Sequence, residues 1–106
     1  MFEEYIQKYP VEIQEIFYTI VELVKRSVSS LEERLWAGLP SFYVDSLFVR
    51  VIPFKNHINI EALALEKYKN HFQDYKFTPK NMLQIYVGQS IPSELLVKVF
   101  SESLTK

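Results

Sequence analysis

The sequence predicts one α+β domain, in which a small, mostly antiparallel sheet of four to five strands carries N-terminal helices and a C-terminal helix on one face. Three observations support this prediction. Apolar residues recur at helical spacing near both ends of the chain and alternate with other residues in its middle. The length of 106 residues suits a single domain over residues 1–106. The apolar fraction of 48% is enough to fill a core.

Helical spacing predicts four helices. The predicted segments are residues 1–9, residues 11–28, residues 64–73 and a final helix that begins at Pro92. Pro10 fits the first turn of the second helix, where its missing N–H removes no hydrogen bond. Ser30 and Glu33 have the spacing of a capping box, which predicts one more short helical turn.

Period-two alternation predicts the strands. It begins near Leu35 and is interrupted at Pro40. The further predicted strands are residues 42–44, 47–52, 57–62 and 82–87. Asp45 and Ser46 indicate a tight turn between the first two of these strands, and residues 78–81 read as a loop.

The strand phases define two faces of the sheet. The apolar face, which we expect to pack on the long helices, carries Leu47, Val49, Val51, Ile58, Ile60, Leu83, Ile85 and Val87. The other face mixes aromatic and polar side chains, as a ligand groove or a partner surface does. The candidate residues of this groove or interface are Trp36, Phe48, Arg50, His57, Asn59, Lys80, Gln84 and Tyr86. The alternative is an ordinary solvated face, since folded proteins expose much apolar area.

Several classes of function are excluded or disfavoured by composition. The chain has no cysteine, which excludes disulfides, cysteine-ligated zinc and thiol catalysis. It has no glycine-rich phosphate loop and no serine nucleophile elbow, so we do not expect an enzyme. A net charge of −1 argues against nucleic-acid binding. The apolar runs are too short for a membrane span and Glu3 and Glu4 oppose a signal peptide, so the expected location is the cytoplasm.

Carboxylates on the second helix are candidate metal ligands. Glu12, Glu15 and Glu22 fall on the side of this helix that faces away from its apolar stripe. Exposed carboxylates bind hard cations weakly through oxygen, and His57, which shares a strand face with Asn59 and Glu61, is the candidate nitrogen ligand. The alternative is the wet face of an amphipathic helix and a histidine with no metal role.

The segment from Glu33 to Phe42, with the sequence ERLWAGLPSF, resembles the YdhG-like domain-of-unknown-function family of small bacterial proteins. That family shows a Glu, a short β segment, and then Gly, an apolar residue, Pro, a small residue and Phe. The likeness continues at residues 54–58, 75–76, 80–85 and 91–92, and so covers nearly the whole chain. The matching positions are Glu33, Gly38, Pro40, Phe42, Lys55, His57, Lys80 and Gln84. Ala37 and Asn81 depart from the family pattern.

This resemblance implies a function as well as a fold. The family is described as helices flanking a small antiparallel sheet, and one member is named as an intracellular iron chaperone, a functional analogue of frataxin. The resemblance implies weak Fe(II) binding without a tightly held cofactor, and delivery of iron to iron–sulfur or haem assembly proteins. The alternative hypothesis is a non-enzymatic small-ligand or protein-interaction module, including a homodimer, that uses the mixed face of the sheet.

Overall fold

A computed structural model describes residues 1–106 of the chain. The helices are α1 (Glu3–Ile6), α2 (Val11–Ser27), α3 (Leu65–Tyr68) and α4 (Ser93–Ser103), and a 3-10 turn at Lys69–His71 follows α3. The strands are β1 (Glu32–Trp36), β2 (Leu39–Val44), β3 (Leu47–Pro53), β4 (His57–Ala62), β5 (Lys76–Phe77) and β6 (Leu83–Tyr86).

The strands form one open sheet in the order β1-β2-β3-β4-β6-β5, and every neighbouring pair is antiparallel. The first four strands follow each other in space as they do in sequence. The predicted α+β class is confirmed. The sheet has six strands where the sequence predicted four to five, because the short β5 has only two residues and no alternation to detect.

One face of the sheet, the inner face, packs against α2 and α4. Apolar residues of both helices and of this face form a single core cluster. Its largest fully buried side chains are Phe17, Phe42, Phe72, Phe100, Ile6, Ile13, Ile20, Leu23, Ile58, Ile60, Leu65 and Leu83. Of the eight residues predicted for this face, Leu47 is half-buried and Val87, which lies beyond the end of β6, is 44% exposed.

Two tight hairpins join β1 to β2 and β2 to β3. Each has a two-residue turn, and positive φ angles occur at Ala37 (52°), Gly38 (79°) and Asp45 (55°). Left-handed backbone in a two-residue turn matches the twist of the flanking strands. The turn predicted at Asp45 and Ser46 is confirmed.

Two details of the prediction near β1 are wrong. No helical turn follows α2. Glu33 lies in β1 opposite Phe42, where the backbone is extended. Pro40 lies inside β2 opposite Leu35, where the sequence predicted an interruption. Pairing between β2 and β3 begins only at Ser41, so the missing N–H of Pro40 removes no hydrogen bond from that ladder.

The helix predicted over residues 64–73 is much shorter than its pattern. It consists of α3 and the 3-10 turn, and Leu65 and Tyr68 are its buried side chains. Contacts with α4 hold it in place, since Lys67 Nζ lies 2.9 Å from Glu102 Oε1 and the Tyr68 hydroxyl donates to the same carboxylate. The Ala64 N–H also donates to Ser103 Oγ at 3.0 Å.

Candidate functional site

The second face of the sheet, the outer face, is not covered by any helix. The strand register places Arg50 between Ser41 and Glu61 on this face, and pairs His57 with Tyr86. The core cluster, to which all the helices contribute, contains no residue of the outer face. Seven of the eight residues predicted for a groove or interface therefore share one uncovered surface: Trp36, Phe48, Arg50, His57, Asn59, Gln84 and Tyr86.

Arg50 organises the half of the outer face that is formed by β1, β2 and β3. Its Nε donates to Ser41 Oγ at 3.1 Å, Nη1 to Glu61 Oε1 at 3.1 Å and Nη2 to Tyr43 Oη at 3.3 Å. The residue is only 6% exposed although no helix covers it. A buried guanidinium needs such partners to replace its hydration, and here all three of its nitrogens have one.

Aromatic side chains enclose the same guanidinium. The Arg50 Cζ atom lies 4.0 Å from the ring centroid of Trp36 and 3.9 Å from that of Phe48. These distances are within the range of cation–π contacts. Arg50 therefore fixes the positions of Trp36 and Phe48 on the surface, while its own hydrogen-bonding groups and charge are already used within the chain.

Three stacked rings organise the other half of the outer face. The ring of His57 stacks on Phe54 with centroids 4.6 Å apart, and on Tyr86 with centroids 4.7 Å apart. Its Nδ1 lies 2.8 Å from Asn56 Oδ1, a contact that the tautomer protonated at Nδ1 satisfies. Burial of the imidazole lowers the pKa of His57 below its ordinary value, and a hydrogen bond with the Asn59 side chain acts in the opposite direction.

Asn59, Gln84 and Ile52 lie between these two clusters, and Asn59 and Ile52 are buried. Gln84 Nε2 donates to Asn59 Oδ1 at 3.2 Å, and Ile52 next to this pair is buried. None of the three cavities of the molecule is lined by Trp36, His57 or Tyr86. The part of the outer face that carries these three side chains is therefore flat, and its aromatic side chains are held at fixed positions.

Lys80 does not lie with the other seven predicted residues. It belongs to the loop between β5 and β6, and it lines a cavity of about 260 Å³ at the end of β4. Phe48 and Glu61 of the outer face also line this cavity, so it lies at one end of that face.

The four candidate metal ligands are not brought together. Glu12, Glu15 and Glu22 are exposed on α2, which packs on the inner face, whereas His57 lies on the outer face. No group of three or more His, Cys, Asp or Glu side chains is placed to hold one metal ion. The three glutamates and His57 therefore lie too far apart to share one ion, and each stays a predicted ligand by itself.

Two residues of the site were not among the predicted ones. Tyr43 stacks under Arg34, whose Cζ lies 3.9 Å from its ring centroid, and it also accepts a hydrogen bond from Arg50. The turn at Asp45 and Ser46 fixes the register that pairs Tyr43 with Phe48. The position of Tyr43 on the outer face could therefore have been predicted from the sequence. Phe54 lies in a turn after β3, where no strand phase assigns a face.

Comparisons of this chain with models of protein families, with curated proteins and with solved structures found no match. The resemblance to the YdhG-like family stays a prediction. No helix combines the length and the apolar character that crossing a bilayer requires. The function must therefore be argued from the geometry of the site.

Proposed function

We propose that this protein is a non-enzymatic protein-interaction module whose outer face docks onto a second copy of the chain. The observation that supports this proposal is a flat, uncovered sheet face with aromatic side chains held in place by Arg50 and by ring stacking. It corresponds to one of the two hypotheses drawn from the sequence.

The shape of the outer face favours a macromolecular partner over a small ligand. Small molecules bind in concave sites that enclose most of their surface. Protein interfaces are flatter, and their strongest contributions come from Trp, Tyr and Arg side chains near the centre. Trp36 and Tyr86 are residues of these types, and they occupy the flat part of the outer face.

Fixed side chains reduce the entropic cost of docking. Ordering a flexible side chain at an interface costs about 0.5–1.5 kcal/mol. The contacts of Trp36 with Arg50 and of Tyr86 with His57 already restrict these rings in the single chain. The outer face therefore loses little conformational freedom when a partner covers it.

The two edges of the outer face complement each other. Trp36 lies on the edge strand β1, and Lys76 lies on the other edge strand β5, opposite Gln84. Lys76 forms no ion pair within the chain, and its Nζ lies 5.8 Å from the ring centroid of Tyr86, at the long end of the range for a cation–π contact. A two-fold axis parallel to the strands would bring the outer faces of two copies together, with β5 of each copy over β1 of the other. Each Lys76 ammonium would then meet the Trp36 indole of the other copy.

The size of the sheet predicts a weak dimer. Five strand spacings and strands that average about five residues give a face of roughly 24 by 17 Å, or about 400 Å² per copy. A standard protein interface buries about 800 Å² on each partner. We therefore expect a dissociation constant in the micromolar range or above, with exchange between monomer and dimer.

Sedimentation equilibrium from about 10 μM to about 1 mM protein tests the proposal. We expect reversible dimerisation that Trp36→Ala and Lys76→Ala each weaken, the latter by about fivefold to thirtyfold, since each dimer loses two cation–π contacts. Lys8→Ala is a matched control, because Lys8 lies over the ring of Tyr5 on the helical side of the molecule.

Mixing the two variants distinguishes a specific interface from general destabilisation. A mixed dimer of the Trp36→Ala and Lys76→Ala chains keeps one of the two Lys76–Trp36 contacts, whereas each variant alone keeps none. The mixture should therefore associate more tightly than either variant alone. A monomeric wild-type chain at all concentrations, or a mixture no tighter than its components, would contradict the proposal.

A further inference from the structure

The cavity beside Lys80 is distinct from the flat part of the outer face. It lies where β3 begins and β4 ends, and the loop at Lys80 and Asn81 closes it on one side. Its volume of about 260 Å³ is slightly below the range of about 300–1,000 Å³ that is usual for drug-sized ligands. The size of the cavity therefore suits a ligand smaller than a typical drug molecule.

Part of the cavity wall is apolar. Leu47, Phe48, Ala62 and Leu63 contribute to it. Leu63 is 77% exposed, which is unusual for a leucine next to a cavity, and nothing in the chain packs over it. A short aliphatic group placed against this wall would remove both the wall and itself from water.

Charged groups of both signs border the same cavity. Lys80 and Glu66 form no ion pair within the chain. Glu61 uses Oε1 to accept from Arg50 Nη1, and its second carboxylate oxygen has no hydrogen-bond partner in the chain. The cavity thus offers carboxylate oxygens to a cation and an ammonium group to an anion.

A buried hydroxyl adds a directed donor. Ser103 lines the cavity and is only 2% exposed. Its oxygen accepts the N–H of Ala64 at 3.0 Å, and its proton has no acceptor among the residues of the chain. Asn81 accepts from Lys69 through Oδ1 at 3.1 Å, which leaves its amide N–H₂ as a second neutral donor.

We infer that this cavity binds a free α-amino acid with an aliphatic side chain. Glu61 and Glu66 suit the ammonium group of such a ligand, and Lys80, Asn81 and Ser103 suit its carboxylate. The apolar wall suits its side chain. A ligand with only one of the two charges leaves the groups of the opposite kind without partners. This inference goes beyond the proposed function, because it uses a concave site and requires no second copy of the chain.

Amide NMR titration of the labelled protein with L-leucine, up to about 10 mM, tests this inference. Two truncated probes accompany it: 3-methylbutylamine, which lacks the carboxylate, and 4-methylpentanoate, which lacks the ammonium group. We expect saturable shifts in residues 46–48, 61–66, 80–81 and 103 with leucine. Each truncated probe should bind at least about tenfold more weakly, since it loses charge-assisted hydrogen bonds.

Variants locate the binding groups. Lys80→Gln and Glu66→Gln should each weaken leucine binding at least about fivefold, and Ser103→Ala should also weaken it. Lys55→Gln and Glu94→Gln are matched controls, because both residues are exposed and neither lines the cavity. The inference is overturned if leucine causes no saturable shifts, if the truncated probes bind equally well, or if the cavity variants behave like the controls.

Discussion

Arg50 holds a positive charge in a position that is only 6% exposed, and its neighbours replace the water that it has lost. Ser41, Tyr43 and Glu61 accept its hydrogen bonds, while its Cζ lies 4.0 Å from the ring centroid of Trp36 and 3.9 Å from that of Phe48. At the scale of single residues, the outer face is therefore a set of side chains arranged around one guanidinium. The guanidinium is planar and carries a fork of N–H donors, which allows this one side chain to reach three acceptors.

Replacing Arg50 with lysine should destabilise the fold. Lysine keeps the charge, but it cannot reach three separated acceptors or stack between two rings. We expect Arg50→Lys to lower the free energy of unfolding by about 2–3 kcal/mol, less than for a fully buried ion pair because Glu61 is partly solvated. Urea unfolding followed by circular dichroism measures the change.

Arg34 provides the control for this experiment. It stacks on Tyr43 and pairs with Glu32 at 2.9 Å, but it is exposed. Arg34→Lys should change the free energy of unfolding by no more than about 0.5 kcal/mol. Equal losses for the two substitutions would show that Arg50 has no special role.

The stacked imidazole of His57 predicts a pH dependence of stability. Burial lowers the pKa of His57 in the folded chain, so between the folded and unfolded pKa values the unfolded chain binds more protons. The contribution of His57 to the free energy of unfolding is complete above about pH 6.5, and it falls as the pH decreases through the pKa of His57 in the folded chain. Urea unfolding between about pH 5 and pH 8 should show this fall, and His57→Phe, which keeps a stacked ring, should reduce it.

An independent readout is the chemical shift of the His57 ring protons during a pH titration. We expect a midpoint below 6.5, the ordinary pKa of histidine. A midpoint at or above that value would indicate that stacking of the imidazolium on Phe54 and Tyr86 outweighs the loss of hydration.

At the scale of elements, the hairpin of β1 and β2 determines where Trp36 stands. Its turn places both Ala37 and Gly38 in the left-handed region, which suits glycine and asparagine but not alanine. No heavy atom lies within 4 Å of a Cβ built on Gly38, so side-chain packing does not constrain the turn. The strain at Ala37 is therefore a local backbone effect.

Ala37→Asn should stabilise this hairpin. Asparagine tolerates left-handed backbone, and Asn-Gly is the favoured pair for such turns. We expect the free energy of unfolding to rise by about 0.5–1 kcal/mol, and Gly38→Ala to lower it by about 1 kcal/mol. Thermal unfolding measures both changes. A loss of stability for Ala37→Asn would show that the turn has a different conformation.

At the scale of the whole molecule, the sheet separates two different surfaces. Helices close the inner face, and the outer face stays open to a partner. The glutamates of α2 and the imidazole of His57 are consequently on opposite sides of the domain. Any Fe(II) binding of the kind implied by the YdhG-like resemblance would therefore use the glutamates of α2 without His57.

An anaerobic Fe(II) titration followed by amide NMR checks that expectation. Single exposed carboxylates bind hard cations weakly, so we expect diffuse broadening near acidic residues that does not saturate at a several-fold excess of iron. Glu12→Gln, Glu15→Gln and Glu22→Gln together should leave the spectrum of His57 unchanged during the titration. Saturable broadening confined to a few residues would support iron handling instead.

Local patterns in the sequence predict two of the helices and the faces of the sheet. Helical spacing predicts α2 and α4. Period-two alternation assigns Val49, Val51, Ile58 and Ile60 to the inner face. Both patterns arise because burial on one side of a helix or a strand fixes the spacing of its apolar residues. The same alternation grouped seven of the eight candidate residues on the outer face.

Other features depended on contacts between distant segments. The two-residue β5 is a strand only because it pairs with β6. The helix predicted over residues 64–73 ends at Tyr68, whose hydroxyl contacts Glu102 of α4. Lys80 lies at a separate cavity because the loop between β5 and β6 folds toward the end of β4. The hydrogen-bond partners of Arg50 come from the two neighbouring strands β2 and β4, and only the order of the strands in the sheet decides that these side chains meet.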